Sequence, residues 1–159
     1  MLIRSQDAER EGALSIARLM MVAARTAPKA GGRDSIVTAI LDGEDKEKLA
    51  GEMERVGRER KLPGRIRDSG NVRGSELVVL IGVKYVEGTS KELKLVDLGI
   101  AVSSAAKIAA DLNADNRIMR SIGDVADSLR LLEADYSLGI PISISGKSIY
   151  FDRPPVTAI

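Results

Sequence analysis

The chain has 159 residues, and its 44% hydrophobic content is enough to enclose a core without cross-links or metals. With 24 Lys and Arg against 23 Asp and Glu, it lacks the basic bias that phosphate-backbone binding requires, so nucleic acid is not an expected partner. Neither Cys nor His occurs, which excludes thiolate nucleophiles, thiolate-held iron–sulfur clusters, imidazole metal ligands and a histidine general base.

Asp7 is placed to cap a first helix, along which Ala13, Ile16, Ala17, Met20, Ala23 and Ala24 recur at helical spacing. Leu14, Leu19, Met21 and Val22 make that helix apolar nearly all round, so it is expected to be buried by the domain or by a second subunit. Pro28 stops it near Arg25. Ile36 to Leu41 reads as a β-branched strand, and Asp45 to Glu59 as a surface helix with Leu49, Met53 and Val56 inward. Pro63-Gly64 breaks that helix, and Arg65 to Asp68 reads as a short edge strand.

LVVLIGV, Leu77 to Val83, is the expected central strand, because a continuous aliphatic run fits burial on both faces. Lys84 to Lys94 reads as a polar loop, and Asp97 as the residue preceding a small-residue helix from Leu98 to Leu112. Arg120 to Leu132 is a further amphipathic helix. Two strands follow, Tyr136 to Ile144 and Ser148 to Asp152, with Pro141 marking a sheet margin or a bulge. This order gives one α+β domain over residues 1–159, a mixed central β-sheet flanked by helices. No apolar run approaches the roughly 18 residues of a membrane span, so a soluble cytoplasmic protein is expected. One Gln and three Asn beside 30% charged residues resemble a thermophile's composition.

The stretch Ala23 to Ile36, AARTAPKAGGRDSI, is richer than a plain turn needs. Lys29 and Arg33 are placed to hold a phosphate, with Gly31 and Gly32 letting backbone N–H groups approach the anion. The plain alternative is a helix stop and a solvated turn whose exposed charges matter little to stability. Lys147, after Ser145-Gly146, and Arg153, in the tail, add two cations, although on the residues alone an ordinary hairpin turn followed by a surface tail is the preferred account.

AEREGALSIARLMMVAARTAPKAGGRDSIVTAI, LVVLIGV, LVDLGIAVSSAAKIAADLNADNRIM and LGIPISISGKSIYFDR together resemble an uncharacterised prokaryotic family, labelled ferredoxin-domain-containing proteins of unknown function. That label comes from a cysteine-rich segment between the central strand and the small-residue helix. The corresponding Tyr85 to Leu95 is short and has no Cys, so no iron–sulfur cluster is expected.

The order of elements also resembles the flavin-dependent nitroreductases. That resemblance implies a homodimer with FMN at its interface, an Ala-Pro loop along the flavin, and basic side chains on its phosphate. Ala27, Pro28 and Lys29 occupy the Ala-Pro-x positions, and Gly139 and Pro141 the late strand. The family's R-R-S-x-R cluster is absent, with only Arg4 and Arg10 near its place, so Lys29, Arg33, Lys147 and Arg153 stand as substitute phosphate ligands. Two functions follow: an FMN-binding redox homodimer, or a non-enzymatic scaffold that keeps the fold without its cofactors. Binding of a phosphate-containing ligand without redox chemistry is a third.

Overall fold

The aliphatic run 77–83 has no polar face to offer water, and all seven of its residues are buried. In the computed structural model, which describes residues 1–151, it is strand β2 (Leu77–Val83). Before it come helix α1 (Ser5–Thr26), strand β1 (Ile36–Leu41) and helices α2 (Gly43–Glu59) and α3 (Pro63–Arg73). After it come helix α4 (Lys91–Asp111), the short strand β3 (Asp115–Asn116), helix α5 (Arg120–Ser128) and strand β4 (Tyr136–Ser143).

The sheet order is β1-β2-β4-β3. The α+β architecture is as expected, but the strand directions refine it: all three pairings are antiparallel, so the sheet is not mixed. Side chains alternate across β2. Leu77, Val79, Ile81 and Val83 face a core closed by α1 and α4, together with Ile140 and Ile142 of β4. Val78 and Leu80 face a second core under α2, α3 and α5, which Tyr150 completes.

Several sequence expectations are corrected. Residues 65–68 are not an edge strand but lie inside α3, because Pro63 occupies the helix's first turn, where its missing N–H costs nothing. That helix buries Asp68, Ser69 and Asn71 rather than an apolar stripe, and Asp68 is held by Arg67 and by the Ser121 hydroxyl at 2.6 Å. Residues 148–151 do not form a second closing strand, and Asp152 lies outside the described residues. The margin of β4 is already taken by β3, and Tyr150 turns inward to place its hydroxyl 2.7 Å from Ser75 Oγ. Asp7 does not cap α1; Arg4 is the N-cap and makes no side-chain cap bond. Helix α2 starts earlier than expected, at Gly43 under an Asp42 cap, and α5 ends earlier, at Ser128.

Pro141 and Gly139 each have a packing explanation. Gly139 exchanges two backbone hydrogen bonds with Met119 on the β3 side, so the Pro141 nitrogen, two residues on, faces that same margin. No strand residue stands opposite it there, since β3 ends at Asn116 and the next bridge is Met119. Gly139 pairs with Leu80 and lies directly beneath Ile122 of α5. The next residue, Gly123, presses on the Ser137 carbonyl, and Arg120 stacks 3.7 Å from the Tyr136 ring centroid.

A β-carbon at Gly139 would overlap the Ile122 side chain, whereas one at Gly123 would overlap backbone that cannot rotate away. Gly139→Ala is therefore expected to cost about 1–3 kcal/mol, and Gly123→Ala more, in urea unfolding of the two variants beside wild type.

Candidate functional site

Helix α1 ends because Ala27, preceding Pro28, takes an extended conformation (φ −55°, ψ 144°) that cannot continue the helix. The carbonyls so freed are met by Lys29. Its Nζ donates to the Ala24 carbonyl at 3.0 Å and to that of Arg25, and lies 3.8 Å from Asp34 Oδ1, with the side chain only 5% exposed. An ammonium there also opposes the negative end of the helix dipole.

The chain then makes a single 3-10 turn over Ala30–Gly32, with Gly31 and Gly32 both in the left-handed region at φ 60° and 65°. No other residue occupies that conformation so cheaply, which explains the paired glycines. The Gly32 N–H donates to the Lys29 carbonyl at 3.0 Å and the Arg33 N–H to that of Ala30 at 3.3 Å. The Asp34 carboxylate accepts from the Ile36 N–H at 3.0 Å and from Arg25, whose guanidinium also donates to the Ile36 carbonyl at 2.6 Å. Burial pushes the Asp34 carboxyl up, but the Arg25 hydrogen bond, the Ile36 N–H, and the Arg25 and Lys29 charges outweigh it and hold it below its ordinary range.

Two residues of α4 complete the arrangement. Asp97 Oδ1 accepts from the Ala30 N–H at 2.8 Å, while Lys94 Nζ donates to the Arg33 carbonyl at 2.9 Å and pairs with Asp97 Oδ2 at 3.1 Å. Both side chains are fully enclosed. The sequence reading misses them: it leaves Lys94 in a polar loop and puts Asp97 ahead of the helix, whereas α4 begins at Lys91 under a Ser90 cap. The available signal was two charges three residues apart in the otherwise apolar LKLVDLGIAV.

The candidate residues do not converge within one chain. Ala27 is buried at the end of α1, and Pro28, Gly31, Gly32 and Arg33 are exposed on the turn beside the N-terminal part of α4. Lys29, expected to be an exposed anion ligand, is enclosed and bound to helix carbonyls. The Arg33 guanidinium makes no hydrogen bond or ion pair with any described residue. Gly139 and Pro141 lie in mid-sheet and face α5, the layer opposite α1 and α4. Lys147 follows β4 at the far end of the sheet, about 20 Å from the turn at the strand rise per residue. Arg153 lies outside the described residues. A cleft of about 280 Å³ between α1 and the β1–α2 corner, lined by Arg10, Asp42 and Glu76 among others, contains none of these residues.

Beside the turn, Leu19 and Val22 of α1 and Leu93, Val96 and Ile100 of α4 project into solvent; Val22 and Val96 are each 56% exposed. At helical spacing they form one apolar strip on the outer surface of the α1–α4 pair.

Two outcomes follow from this geometry. Lys29→Met is expected to destabilise by about 1 kcal/mol through loss of the carbonyl cap, and Arg33→Ala to stay within about 0.5 kcal/mol, in thermal melts. Because the Asp34 pKa is depressed in the folded state, its contribution is complete above the unfolded pKa and is lost as pH falls through the folded one. Asp34→Asn is therefore expected to be less stable than wild type near neutrality and to lose less stability below about pH 4, in urea unfolding across pH.

Comparison with known proteins fits this arrangement. Residues 87–153 match the family described as "Uncharacterized protein containing a ferredoxin domain (DUF2148)". An uncharacterised protein of Archaeoglobus fulgidus is 36% identical over 185 aligned positions, which cover 98% of this chain and 99% of the relative. Among solved structures, a nitroreductase with bound FMN from Desulfitobacterium hafniense superposes with a TM-score of 0.66 at 17% identity, over 91% of this chain and 82% of that one. A nitroreductase-like protein in complex with FMN from Desulfovibrio desulfuricans gives 0.63 at 19% identity, over 89% and 80%. The FMN-dependent nitroreductase NfnB of Mycobacterium smegmatis, in complex with NADPH, gives 0.64 at 12% identity, over 91% and 85%. The chain thus has the nitroreductase fold and belongs to the family of uncharacterised proteins containing a ferredoxin domain.

Proposed function

We propose that the chain is an FMN-binding, nitroreductase-like redox protein that works as a homodimer, with the Pro28–Arg33 turn at the flavin and the α1–α4 strip between the two copies. The observation that carries this reading is the juxtaposition of a guanidinium without a partner among the described residues, an open diglycine turn and exposed apolar side chains of α1 and α4 at one corner of a fold whose solved neighbours include FMN-bound proteins.

The residues fit the flavin phosphate in part. Arg33 suits a phosphate as a bidentate partner, and no atom stands within 4 Å of where a side chain would start at Gly31 or Gly32, so a ligand can approach their backbone. Ser35 Oγ, at the turn's exit, is buried without a hydrogen-bond partner among the described residues. Lys29 does not fit, being engaged by α1. One cation does not neutralise a phosphate, and Lys147, at the other end of the sheet in its own chain, is a candidate for the same ligand only from a second copy. When bound, the flavin supplies hydride and electron transfer. The protein's part is to anchor the phosphate through Arg33 and to exclude water by closing the apolar strips on each other. With no cysteine in the sequence, we propose no iron–sulfur cluster.

One observation favours the scaffold reading instead: Lys29 and the N–H groups of Ala30, Gly32 and Arg33 are already satisfied within the chain. Titration with FMN, followed by gel filtration and a visible spectrum, separates the two. The flavin reading expects a retained flavin band, a dimer by light scattering, and an affinity about tenfold weaker in Arg33→Ala at unchanged melting temperature. Colourless protein that takes up no FMN supports the scaffold, and a monomer at all micromolar concentrations removes the shared site.

A further inference from the structure

Lys94 and Asp97 carry full charges in a place where neither meets water, and neither has a role in holding a ligand directly. Removing an ion from water is costly, and a well-packed apolar pair in the same space is often equally stable or more so. Stability alone therefore does not account for charges at these positions. What an apolar pair does not supply is two directed contacts: a carboxylate oxygen 2.8 Å from the Ala30 N–H, and an ammonium 2.9 Å from the Arg33 carbonyl. These two contacts grip the first and last residues of the diglycine turn, Ala30 and Arg33. Between them Gly31 and Gly32 have no side chains to fix their path. Arg33 leaves the turn at the gripped carbonyl, so the position of its backbone is set from α4.

We propose that Lys94 and Asp97 are positioning residues for phosphate recognition: a buried charge pair on α4 that fixes the Ala30–Arg33 turn and so sets where Arg33 meets the ligand's phosphate. The proposal rests on the flavin reading for the identity of the ligand. It assigns the pair to the phosphate end of the ligand and not to the ring.

The test compares wild type with the full-length double variants Lys94→Met/Asp97→Leu and Lys94→Met/Asp97→Asn, because a single substitution strands a buried charge and is liable to unfold the chain. Affinities for FMN and for riboflavin, which lacks the phosphate, are measured by fluorescence titration, beside melting temperature and hydrogen exchange at Ala30.

Wild type is expected to prefer FMN to riboflavin by about tenfold or more. In Lys94→Met/Asp97→Leu, the melting temperature is expected to hold, the Ala30 amide to exchange about tenfold or more faster, and FMN affinity to fall to that of riboflavin, which itself stays unchanged. Lys94→Met/Asp97→Asn, which keeps an acceptor for Ala30, is expected to recover the slow exchange and part of the preference. The proposal is overturned if FMN preference survives in Lys94→Met/Asp97→Leu, if both flavins weaken equally, or if the Ala30 amide exchanges no faster. Wild type that binds flavin without a phosphate preference also overturns it, and leaves flavin binding standing. Wild type that binds neither flavin removes the flavin reading and, with it, the assignment of the pair to phosphate recognition.

Discussion

The enclosed pair of Lys94 and Asp97 is the constraint on which the corner around the α1–β1 connection depends. Withdrawing each charge from water costs of order several kcal/mol, and the structure offsets that with short, directed contacts: to each other, to the Ala30 amide and to the Arg33 carbonyl. Such a pair tolerates little displacement, because a shift that breaks one contact leaves a bare charge in a low-dielectric interior. The distance between α4 and the turn is therefore fixed. The Arg25–Asp34 pair fixes the exit of the turn in the same way, and Lys29 its entrance. Five charged side chains that look like surface decoration on paper, Lys94, Asp97, Arg25, Asp34 and Lys29, are the joints of this connection.

The sheet supplies the rigid reference for those joints. Strand β2 is buried on both faces and paired on both edges, so neither helical layer can move without disturbing it. Small residues let the two helices of one layer pack closely: Ala13, Ala17 and Ala24 of α1 and Ala101, Ala105 and Ala109 of α4 share one core. The opposite layer is tied by Ile122 on Gly139 and by the Arg65–Asp124 pair at 2.8 Å. Among the described residues that layer shows fewer exposed apolar side chains than α1 and α4 do.

What was legible in the sequence divides along physical lines. Strands β1 and β2 were readable to the residue because an aliphatic run needs a buried sheet position regardless of what surrounds it. The stop of α1 at Pro28 was equally plain, since the restriction acts on the neighbouring residue alone. Helix α3 was not readable, because three of its four buried residues are polar, Asp68, Ser69 and Asn71, and such burial is allowed by partners distant in sequence such as Ser121. Nor was the true station of Lys29: a lysine after a proline looks exposed until the freed carbonyls of the helix behind it come into view. For the candidate site, sequence singled out the turn on which Arg33 is exposed. It could not see that Gly139, Pro141 and Lys147 belong to other faces and ends of the sheet, because separation in space depends on strand register.

Tyr150 has a consequence for how the chain acquires its structure. It follows every helix and strand among the described residues, yet it sits fully enclosed in the core beneath α2, α3 and α5, hydrogen-bonded to Ser75 from the other half of the chain. Strand β4, an interior member of the sheet, is also among the last elements made. During synthesis, the earlier helices and β1–β2 thus exist as a hairpin-like platform with an open edge and an uncapped apolar floor. That floor cannot close until residue 150 has emerged from the ribosome, which makes assembly of this protein a late, nearly simultaneous event. A nascent chain caught before that point presents the β2 edge to any neighbour able to pair with it.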